Sequence, residues 1–353
     1  MHPTLTELHD RIQAAKAAKA SVRIRGAGTK DFYGERCDGD VLDTRAHKGI
    51  LSYEPSELVI TARCGTPLSQ IEHALAEKDQ FLAFEPPRFG GDPTIGGVVA
   101  AGLSGPRRAT AGAVRDFVLG AGLLDADGHE LRFGGQVMKN VAGFDISRLL
   151  CGSLGILGLI TDVSIKVLPR PRAQATLRFP MDATKAVEQF NRWSAQPLPI
   201  SATFWHDGIA HVRLSGAVSA VRAASASLGG EVLDETAAGA LWDGVRDQTH
   251  PAFKIAPLWR VSLPSTAALE LPGLVAIEWA GALRWFAGDL PAAQVRAAAA
   301  QAGGSAMLWR AERPRAAPMF HPLDAANLEL HRRLKHQFDP GRVFNPGRLI
   351  EDL

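Results

Sequence analysis

Apolar and polar positions follow two different periods over the first 170 residues. Leu5, Leu8 and Ile12 recur at helical spacing and predict a helix over residues 4–20. Residues 22–25 alternate as the residues of a strand do. Further elements are predicted as strands around residues 58–63, 117–124 and 159–167 and as a helix over residues 66–79. Together these elements predict an α+β domain with mixed strands.

An internal repeat marks the second half of the chain. Residues 221–230 (VRAASASLGG) match residues 295–304 (VRAAAAQAGG) at an offset of 74. Each alanine-rich run is a strong helix former that ends in glycine. Strand-like stretches flank each run, at 211–214 and 231–233 in the first copy and at 283–286 and 306–309 in the second. Two β-α-β copies predict a ferredoxin-like unit, although two alanine-rich helices can also resemble each other by chance.

Glycine and tryptophan divide the chain of 353 residues into two parts. Residues 1–170 hold 22 of the 35 glycines and no tryptophan, whereas residues 171–353 hold all seven tryptophans. Glycine serves where backbone approaches a ligand closely, and tryptophan supplies large buried area. We therefore expect a loop-rich binding domain (1–170), a smaller α+β cap domain (171–320) and a segment (321–353) that returns to the first domain as a helix over 325–338 and two turns.

Charge, hydropathy and cysteine usage exclude several classes of protein. Lysine and arginine exceed aspartate and glutamate by only two (39 minus 37), so no charge excess suits a nucleic-acid backbone. No uncharged apolar run approaches the roughly 18 residues that span a bilayer, and no secretory signal is visible, so we expect a cytoplasmic protein. Cys37, Cys64 and Cys151 form no CxxC pair and are too few for a usual iron–sulfur cluster.

Three glycine-rich motifs follow one another in the first domain. RGAGTK (25–30) follows a predicted strand and can form a nest of N–H groups for an anion such as pyrophosphate. DPTIGGVVAAGLSGPRR (92–108) can pack on a flat heteroaromatic ring or form a tight structural turn. KNVAGFDISR (139–148) is followed by GSLGILGLIT (152–161), where glycines lead into a strand. The chain contains neither a Rossmann fingerprint nor a P-loop.

In this order, the motifs resemble the vanillyl-alcohol-oxidase-type, or PCMH-type, FAD-binding family. FDPGRVFNPGR (338–348) is similar to the Asp-Pro…Asn-Pro-Gly element that closes the family's domain. Longer strings, at 25–34, 102–108 and 115–120, resemble the FAD-binding subunits of bacterial glycolate oxidases. The resemblance covers residues 1–170 and 321–353 and implies a two-part PCMH-type FAD-binding domain with a smaller ferredoxin-like cap. The middle of the chain is similar only in size and layout.

The resemblance implies that FAD is held mainly by backbone groups. The first motif would cradle the pyrophosphate, and the second would line the isoalloxazine and the pyrophosphate. One arginine after the second motif is a candidate to stabilise reduced, anionic flavin. The asparagine of the closing element matches a position near the flavin, but it could equally be an ordinary turn residue. The implied cofactor-binding residues are Gly26, Ala27, Gly28, Thr29, Lys30, Ile95, Gly96, Gly97, Gly102, Leu103, Ser104, Gly105, Arg107, Asp116, Gly158, Ile160 and Asn345.

Two departures from the family limit what can be said of catalysis. Members with covalent flavin often carry histidine where Thr29 stands, so non-covalent FAD is expected. Relatives that oxidise 2-hydroxy acids carry a His-rich Gly-Asp-Gly-Asn-x-His segment that supplies metal ligands and a base, and the chain has none. We therefore assign no metal and no catalytic residue. The scattered histidines of the second part are expected on the surface or satisfied in the core: His206, His211, His250, His321 and His331.

The resemblance implies an FAD-dependent oxidoreductase subunit of a glycolate oxidase (glycolate dehydrogenase) complex. Such a complex oxidises glycolate, a small 2-hydroxy acid, to glyoxylate and passes electrons to partner subunits. The implied partners are a second flavoprotein and an iron–sulfur protein, through which the chain could lie at the inner face of the membrane. Two alternatives stay open. One is a self-sufficient FAD-dependent 2-hydroxy acid dehydrogenase, and the other is a non-catalytic assembly subunit with a vestigial flavin site.

Overall fold

The computed structural model describes residues 2–135, 145–312 and 315–353. They form two compact units that interleave along the sequence. The first unit comprises Met1–Leu103, Ala113–Pro169 and Pro322–Leu353, and the second comprises Ser104–Gly112 and Arg170–His321. Residues 104–112 therefore form an excursion, a short segment that belongs to the second unit although the residues on either side of it belong to the first. The sequence pattern does not predict this excursion.

The helices and strands of the first unit follow the predicted periodicities. Leu5, Leu8 and Ile12 form the buried face of the first helix. In chain order, the elements up to Pro169 are α1 (Pro3–Ala17), β1 (Val22–Arg25), β2 (Asp40–Asp43), β3 (Ile50–Glu54), β4 (Val59–Arg63), α2 (Leu68–Ala76), β5 (Gln80–Phe81), α3 (Ile95–Ala101), α4 (Arg108–Ala111, in the excursion), β6 (Val118–Leu124), β7 (Glu130–Gly134), α5 (Ile146–Leu149), β8 (Leu159–Lys166) and β9 (Leu168–Pro169). All the strands and helices predicted for this part of the chain are thus confirmed, within three residues at each end.

The first unit is built around a five-stranded antiparallel sheet with the order β3-β4-β8-β6-β7. Its central strand β8 pairs with β4 and β6 and is buried at all but its last residue. A separate two-stranded parallel sheet pairs β1 with β2. Beside it, Val22 forms a parallel bridge with Phe344, far along the sequence. The returning C-terminal segment therefore extends this small sheet.

The second unit contains one eight-stranded antiparallel sheet. Its remaining elements are β10 (Ala173–Pro180), α6 (Ala183–Ser194), β11 (Ile200–His206), β12 (Ile209–Gly216), α7 (Val218–Leu228), β13 (Glu231–Val232), α8 (Glu235–Arg246), β14 (Leu258–Ser262), β15 (Leu274–Glu278), β16 (Leu283–Ala287), α9 (Ala292–Gln301) and β17 (Ser305–Arg310). Helix α10 (Ala325–Phe338) follows in the first unit. The strand order is β13-β10-β12-β11-β15-β16-β14-β17.

The repeat is a larger duplication than the sequence indicated. The first four neighbouring strands, with α6 and α7, have the β-α-β-β-α-β connection of a ferredoxin-like unit. The last four strands repeat this order with α9 only, because residues 263–273 form no helix. The expectation of one ferredoxin-like unit made from two β-α-β copies is therefore corrected to two such units. They are joined where β11 pairs with β15.

The two faces of the eight-stranded sheet differ in chemistry. One face packs apolar side chains against α6, α7 and α9. The other carries polar and aromatic side chains, among them Thr176, which accepts a 2.9 Å hydrogen bond from Trp242 Nε1 of α8. Phe253 packs edge-on against Trp285 on this second face. Across the described ranges, no helix is both long enough and apolar enough to cross a membrane.

Candidate functional site

The loop after β1 brings bare backbone to a groove in the first unit. Gly28 has a φ of +74°, and a Cβ on it would overlap the Arg25 guanidinium. A Cβ on Gly26 would overlap Thr94 Oγ1. Glycine is needed at both positions because the backbone is crowded and, at Gly28, left-handed. Both glycines line the groove, and neither position has room for a side chain.

The second motif supplies further residues of the groove lining. Thr94 caps α3, with Oγ1 accepting a 3.3 Å hydrogen bond from Gly97 N. Gly96 N donates to Cys64 O at 2.8 Å, and a Cβ on Gly96 would lie 2.6 Å from Cys64 Cβ. This contact pulls the start of α3 against the end of β4. Gly96 is therefore required by packing, whereas Gly97 lines the groove.

Asn345 joins three segments of the first unit. Its backbone N donates to Val22 O (3.0 Å), and its Oδ1 accepts from Ile24 N (2.7 Å). Its Nδ2 donates to Leu154 O at 2.6 Å. The side chain is 4% exposed, so these bonds hold β1 and the glycine loop at 152–158 together at the groove. Asn345 lines the groove, and its amide is already engaged with backbone.

A buried ion pair supports Asn345 from behind. Lys335 Nζ donates to Asp339 Oδ2 (2.7 Å), to Ile156 O (2.7 Å) and to Phe344 O (2.8 Å). Asp339 in turn accepts from the backbone N of Val343 and Phe344. Burial lowers the pKa of Lys335, while the adjacent Asp339 carboxylate opposes that shift. The bonds that this pair makes to the backbone of Ile156, Val343 and Phe344 fix segments that lead to the groove.

The groove carries an excess of positive charge. Arg348 donates from Nη1 to Glu35 O (2.9 Å) and from Nη2 to Asp31 O (3.1 Å), which fixes the loop after β1. Arg25 Nε donates to Asp31 Oδ2 at 2.8 Å. The lining residues are Arg23, Ile24, Arg25, Gly26, Ala27, Gly28, Thr29, Lys30, Asp31, Tyr33, Cys37, Pro93, Thr94, Gly97, Ala100, Ala101, Leu154, Asn345 and Arg348. Four cations against one carboxylate favour an anionic ligand.

Some of the predicted site residues line the groove, and the others lie elsewhere in the chain. Seven of them line the groove: Gly26, Ala27, Gly28, Thr29, Lys30, Gly97 and Asn345. Ile95, Gly96, Gly158 and Ile160 are buried, and Gly102 ends α3 in a left-handed conformation against Gly152. Leu103 is half-buried in the first unit. Asp116 is exposed and accepts a 2.8 Å bond from Ala113 N. Ser104, Gly105 and Arg107 belong to the second unit.

Arg107 is held by the sheet of the second unit. It is buried, and its Nη2 donates to Ser215 Oγ at 3.3 Å. A role for Arg107 beside the flavin stays a prediction. Of the motif at 139–148, residues 139–144 lie outside the described residues, and Asp145 caps α5 through a 3.2 Å bond from Arg148 N.

Sequence reasoning missed several groove residues. Arg23, Tyr33, Cys37 and Arg348 line the groove without having been predicted to do so. Arg348 is the last residue of the closing element, so the motif itself carried a signal. Burial raises the pKa of the Cys37 thiol even though Arg348 and Arg23 oppose that shift. The thiol is therefore protonated at neutral pH and is a poor nucleophile.

Three of the histidines described as scattered in fact lie together. The rings of His206 and His250 are 4.9 Å apart, and both lie near Phe204, which also stacks on His211. Burial, reinforced by neighbouring positive charge, lowers the pKa of His211 and of His250 to about 4. Both imidazoles are therefore neutral at pH 7. Strand pairing, which places 206 and 211 on neighbouring strands, creates this cluster.

The comparisons with known proteins identify the family. Residues 4–134 match a family model described as an FAD binding domain. Over 348 residues the chain is 46% identical to glycolate oxidase subunit GlcE of Escherichia coli (strain K12), covering 98% of this chain and 97% of that protein. The chain belongs to the GlcE family. Its cofactor is FAD, and its class is that of FAD-dependent oxidoreductases.

More distant similarities extend this assignment. Glycolate oxidase subunit GlcD of Bacillus subtilis (strain 168) is 33% identical over 156 residues, which are 43% of this GlcE-family chain and 33% of that protein. A solved structure of alkyldihydroxyacetonephosphate synthase aligns with a TM-score of 0.66 at 15% identity, covering 98% of this chain and 76% of that one. The latter likeness concerns the fold alone. The predicted α+β, PCMH-type fold is confirmed.

Proposed function

We propose that this chain is the FAD-binding subunit of a glycolate oxidase (glycolate dehydrogenase) complex that oxidises glycolate to glyoxylate. The observation that carries the proposal is the 46% identity to a glycolate oxidase subunit over almost the whole of both chains. The cationic, glycine-walled groove of the first unit supports it, because a pyrophosphate needs both positive charge and accessible backbone N–H groups.

The groove residues fit FAD. Gly26 and Gly28 line the groove and have no room for a side chain, which supports a close approach of a ligand to the backbone there. We infer that residues 26–30 hold the pyrophosphate, that Gly97 and Asn345 contribute to the flavin site, and that Arg23 and Arg348 supply countercharge. When bound, FAD supplies a two-electron acceptor. Thr29 lines the groove where covalent relatives carry histidine, and non-covalent binding remains our prediction.

The assembly is proposed on the same basis. The partners are a GlcD-like flavoprotein and a GlcF-like iron–sulfur subunit, to which this chain would pass electrons. All three cysteines are free, and two of them, Cys64 and Cys151, have a pKa raised to about 12 by burial. Such thiols suit packing rather than electron transfer. We place the complex in the cytoplasm. If its partner subunits bind the membrane, the complex lies at the inner face of that membrane.

The visible absorption spectrum of the purified chain tests the proposal. We expect flavin bands that stay oxidised under anaerobic glycolate and bleach only after the partner subunits are added. The same titration with the groove variant Gly28→Ala is the control for the origin of the bands. No flavin bands after incubation with FAD would contradict the cofactor assignment and favour the assembly subunit. Bleaching by glycolate without partners would favour the self-sufficient dehydrogenase.

A further inference from the structure

Three of the four cations that line the groove are already held by other parts of the protein. Arg25 donates from Nε to Asp31 Oδ2 at 2.8 Å. Arg348 donates to backbone carbonyls of the loop after β1. The ammonium group of Lys30 lies 5.6 Å from the centroid of the Phe89 ring. Contacts with protein atoms therefore position each of these three groups whether or not a ligand is present.

Arg23 is the fourth cation of the groove, and its guanidinium has no such contact. Arg23 lies on β1, is half-buried and lines the groove. Within residues 2–135, 145–312 and 315–353, no group accepts a hydrogen bond from this guanidinium, and no carboxylate forms an ion pair with it. Its charge acts on the Cys37 thiol, which is protonated at neutral pH and so supplies no countercharge. A guanidinium that loses hydration without gaining an acceptor is stabilised by an anionic ligand.

The groove itself offers no carboxylate that could pair with Arg23 in place of a ligand. Among the described residues that line the groove, Asp31 is the one acid, and Arg25 already engages it. An arginine presents its N–H donors as a planar fork, which matches two oxygens of a phosphate group. The same groove is lined by the backbone of Gly26 and Gly28, where no side chain fits. Two linked phosphates suit both features, since one can approach the glycine backbone while the other accepts from Arg23.

We propose that Arg23 binds the phosphate groups of FAD, and that the flavin-free groove therefore also binds other phosphoanhydrides, which compete with FAD. This inference rests on the proposed function and deepens it. It names the part of the cofactor that Arg23 recognises and a class of small anions that limits the loading of the cofactor. Inorganic pyrophosphate is the simplest member of that class, and adenosine diphosphate adds a nucleoside to the same anhydride.

Isothermal titration calorimetry of the flavin-free full chain tests this contact directly. The probes are FAD, adenosine diphosphate and inorganic pyrophosphate at constant ionic strength, with chloride as the background anion. We expect saturable binding of all three, and pyrophosphate should raise the apparent dissociation constant for FAD. If adenosine diphosphate binds and pyrophosphate does not, the nucleoside rather than the anhydride is recognised, and the proposal is overturned.

Substitution of Arg23 assigns the binding to this residue. In Arg23→Met the dissociation constants for FAD and for pyrophosphate should both rise at least tenfold, because a charge-assisted pair of hydrogen bonds is lost. Arg23→Lys should weaken binding by a smaller factor, because lysine keeps the charge but not the paired donors. If Arg23→Met loses its near-ultraviolet circular dichroism, Arg23→Lys decides the question. An unchanged FAD constant in that variant would then overturn the proposal.

Arg11→Met is the matched control. Arg11 is exposed on α1, where it donates to Val41 O at 2.6 Å, and it does not line the groove. The variant loses the same charge from the same unit and should leave both dissociation constants unchanged. Equal losses of affinity in Arg11→Met and Arg23→Met would overturn the proposal, because net charge rather than contact would then account for the effect.

The dependence of FAD binding on salt separates contact with phosphate from a purely structural role of Arg23. Salt weakens the attraction between a partly exposed cation and an anion. The FAD constant of the parent chain should therefore rise with sodium chloride, and that of Arg23→Met should rise less steeply. Parallel salt dependences would mean that Arg23 only supports the shape of the groove, and the proposal would fail.

The outcome can be separated from that of the proposed function. FAD and pyrophosphate binding that depends on Arg23, together with a flavin that glycolate never bleaches even with partners present, supports the contact and refutes the glycolate reaction. Bleaching in the assembled complex, together with an FAD affinity that Arg23→Met leaves unchanged, leaves the reaction standing and refutes the contact.

Discussion

Gly28 shows how much of the groove depends on a single missing side chain. Its left-handed backbone sits directly against Arg25, so a methyl group there displaces the guanidinium as well as straining the loop. Gly90 has nearly the same φ, +78°, but a Cβ there would meet nothing within 4 Å. A comparison of alanine substitutions at Gly28 and Gly90 therefore separates the effect of backbone strain from that of a steric clash.

We expect Gly28→Ala to weaken FAD binding at least tenfold. Gly90→Ala should change FAD affinity less than twofold. Both substitutions carry the roughly 1 kcal/mol of left-handed strain, so their stabilities in urea should fall by similar amounts. The measurement is an FAD titration of the apoprotein followed by flavin fluorescence. Equal FAD affinities in the two variants would show that the groove tolerates a side chain at Gly28.

Glu278 makes the stability of the second unit depend on pH, and the sign of this dependence follows from its pKa. Burial raises its folded-state pKa to about 7, above the ordinary value of 4.5, so the folded state binds the proton more tightly than the unfolded state. Its contribution to stability is therefore present below pH 4.5 and is lost as pH rises towards 7. At about 1.4 kcal/mol per pKa unit, the loss is on the order of 3 kcal/mol.

Urea unfolding of Glu278→Gln should reveal this loss. The stability difference, parent chain minus variant, should decrease by about 3 kcal/mol between pH 4.5 and 7 and stay level above that. His211 and His250 act in the opposite direction over pH 4 to 6.5, but they are present in both proteins and cancel. A flat difference for Glu278→Gln would mean that folding leaves the pKa of this acid unchanged.

At the scale of elements, helix α10 is held by one charge rather than by an apolar face. Lys335 is its only buried residue, and its ammonium group donates to a carboxylate and two carbonyls. Asp339 also accepts from two backbone N–H groups, so removing the lysine leaves a buried carboxyl group without its countercharge. Removing one partner of a buried ion pair destabilises a protein more than replacing both partners with apolar residues.

Lys335→Met should therefore destabilise the first unit by about 3–5 kcal/mol. Urea unfolding followed by circular dichroism measures this loss. Arg333→Met, on the exposed side of the same helix, removes an exposed pair with Glu329 and should change stability by less than about 1 kcal/mol. A loss below 1 kcal/mol for Lys335→Met would show that α10 is anchored by other contacts.

Sequence periodicity predicts the elements of this chain well where neighbours in sequence decide the outcome. Strand β1 was placed at its observed bounds because alternation and the glycine after it are local signals. The offset of 74 located β12, α7, β13 and their copies. It could not show that each copy belongs to a complete ferredoxin-like half, because the matching strands β10 and β14 lie outside the repeated string. Pairing between β11 and β15 is set by packing at long range.

On the scale of the whole molecule, the candidate site was predictable only in part. Residues 26–30 could be found because a glycine-rich turn after a strand is a local signal. The place of Arg107 beside Ser215 could not, since 108 positions separate them and nothing in the sequence indicates that residues 104–112 leave the first unit. The histidine cluster was missed for the same reason: three residues on two strands and a turn meet only after the sheet has formed.

The hydrogen bonds of Asn345 also influence the order in which the two units fold during synthesis. Strand β1 leaves the ribosome early in synthesis. Its Ile24 N–H, however, donates a hydrogen bond to the side-chain amide of Asn345, 321 positions later in the chain. Domains often fold as they emerge, and the second unit has all of its residues available once His321 has been synthesised. The first unit, begun earlier, must wait for the closing element. A nascent chain stalled before residue 339 should therefore present a folded second unit and a groove unable to retain FAD.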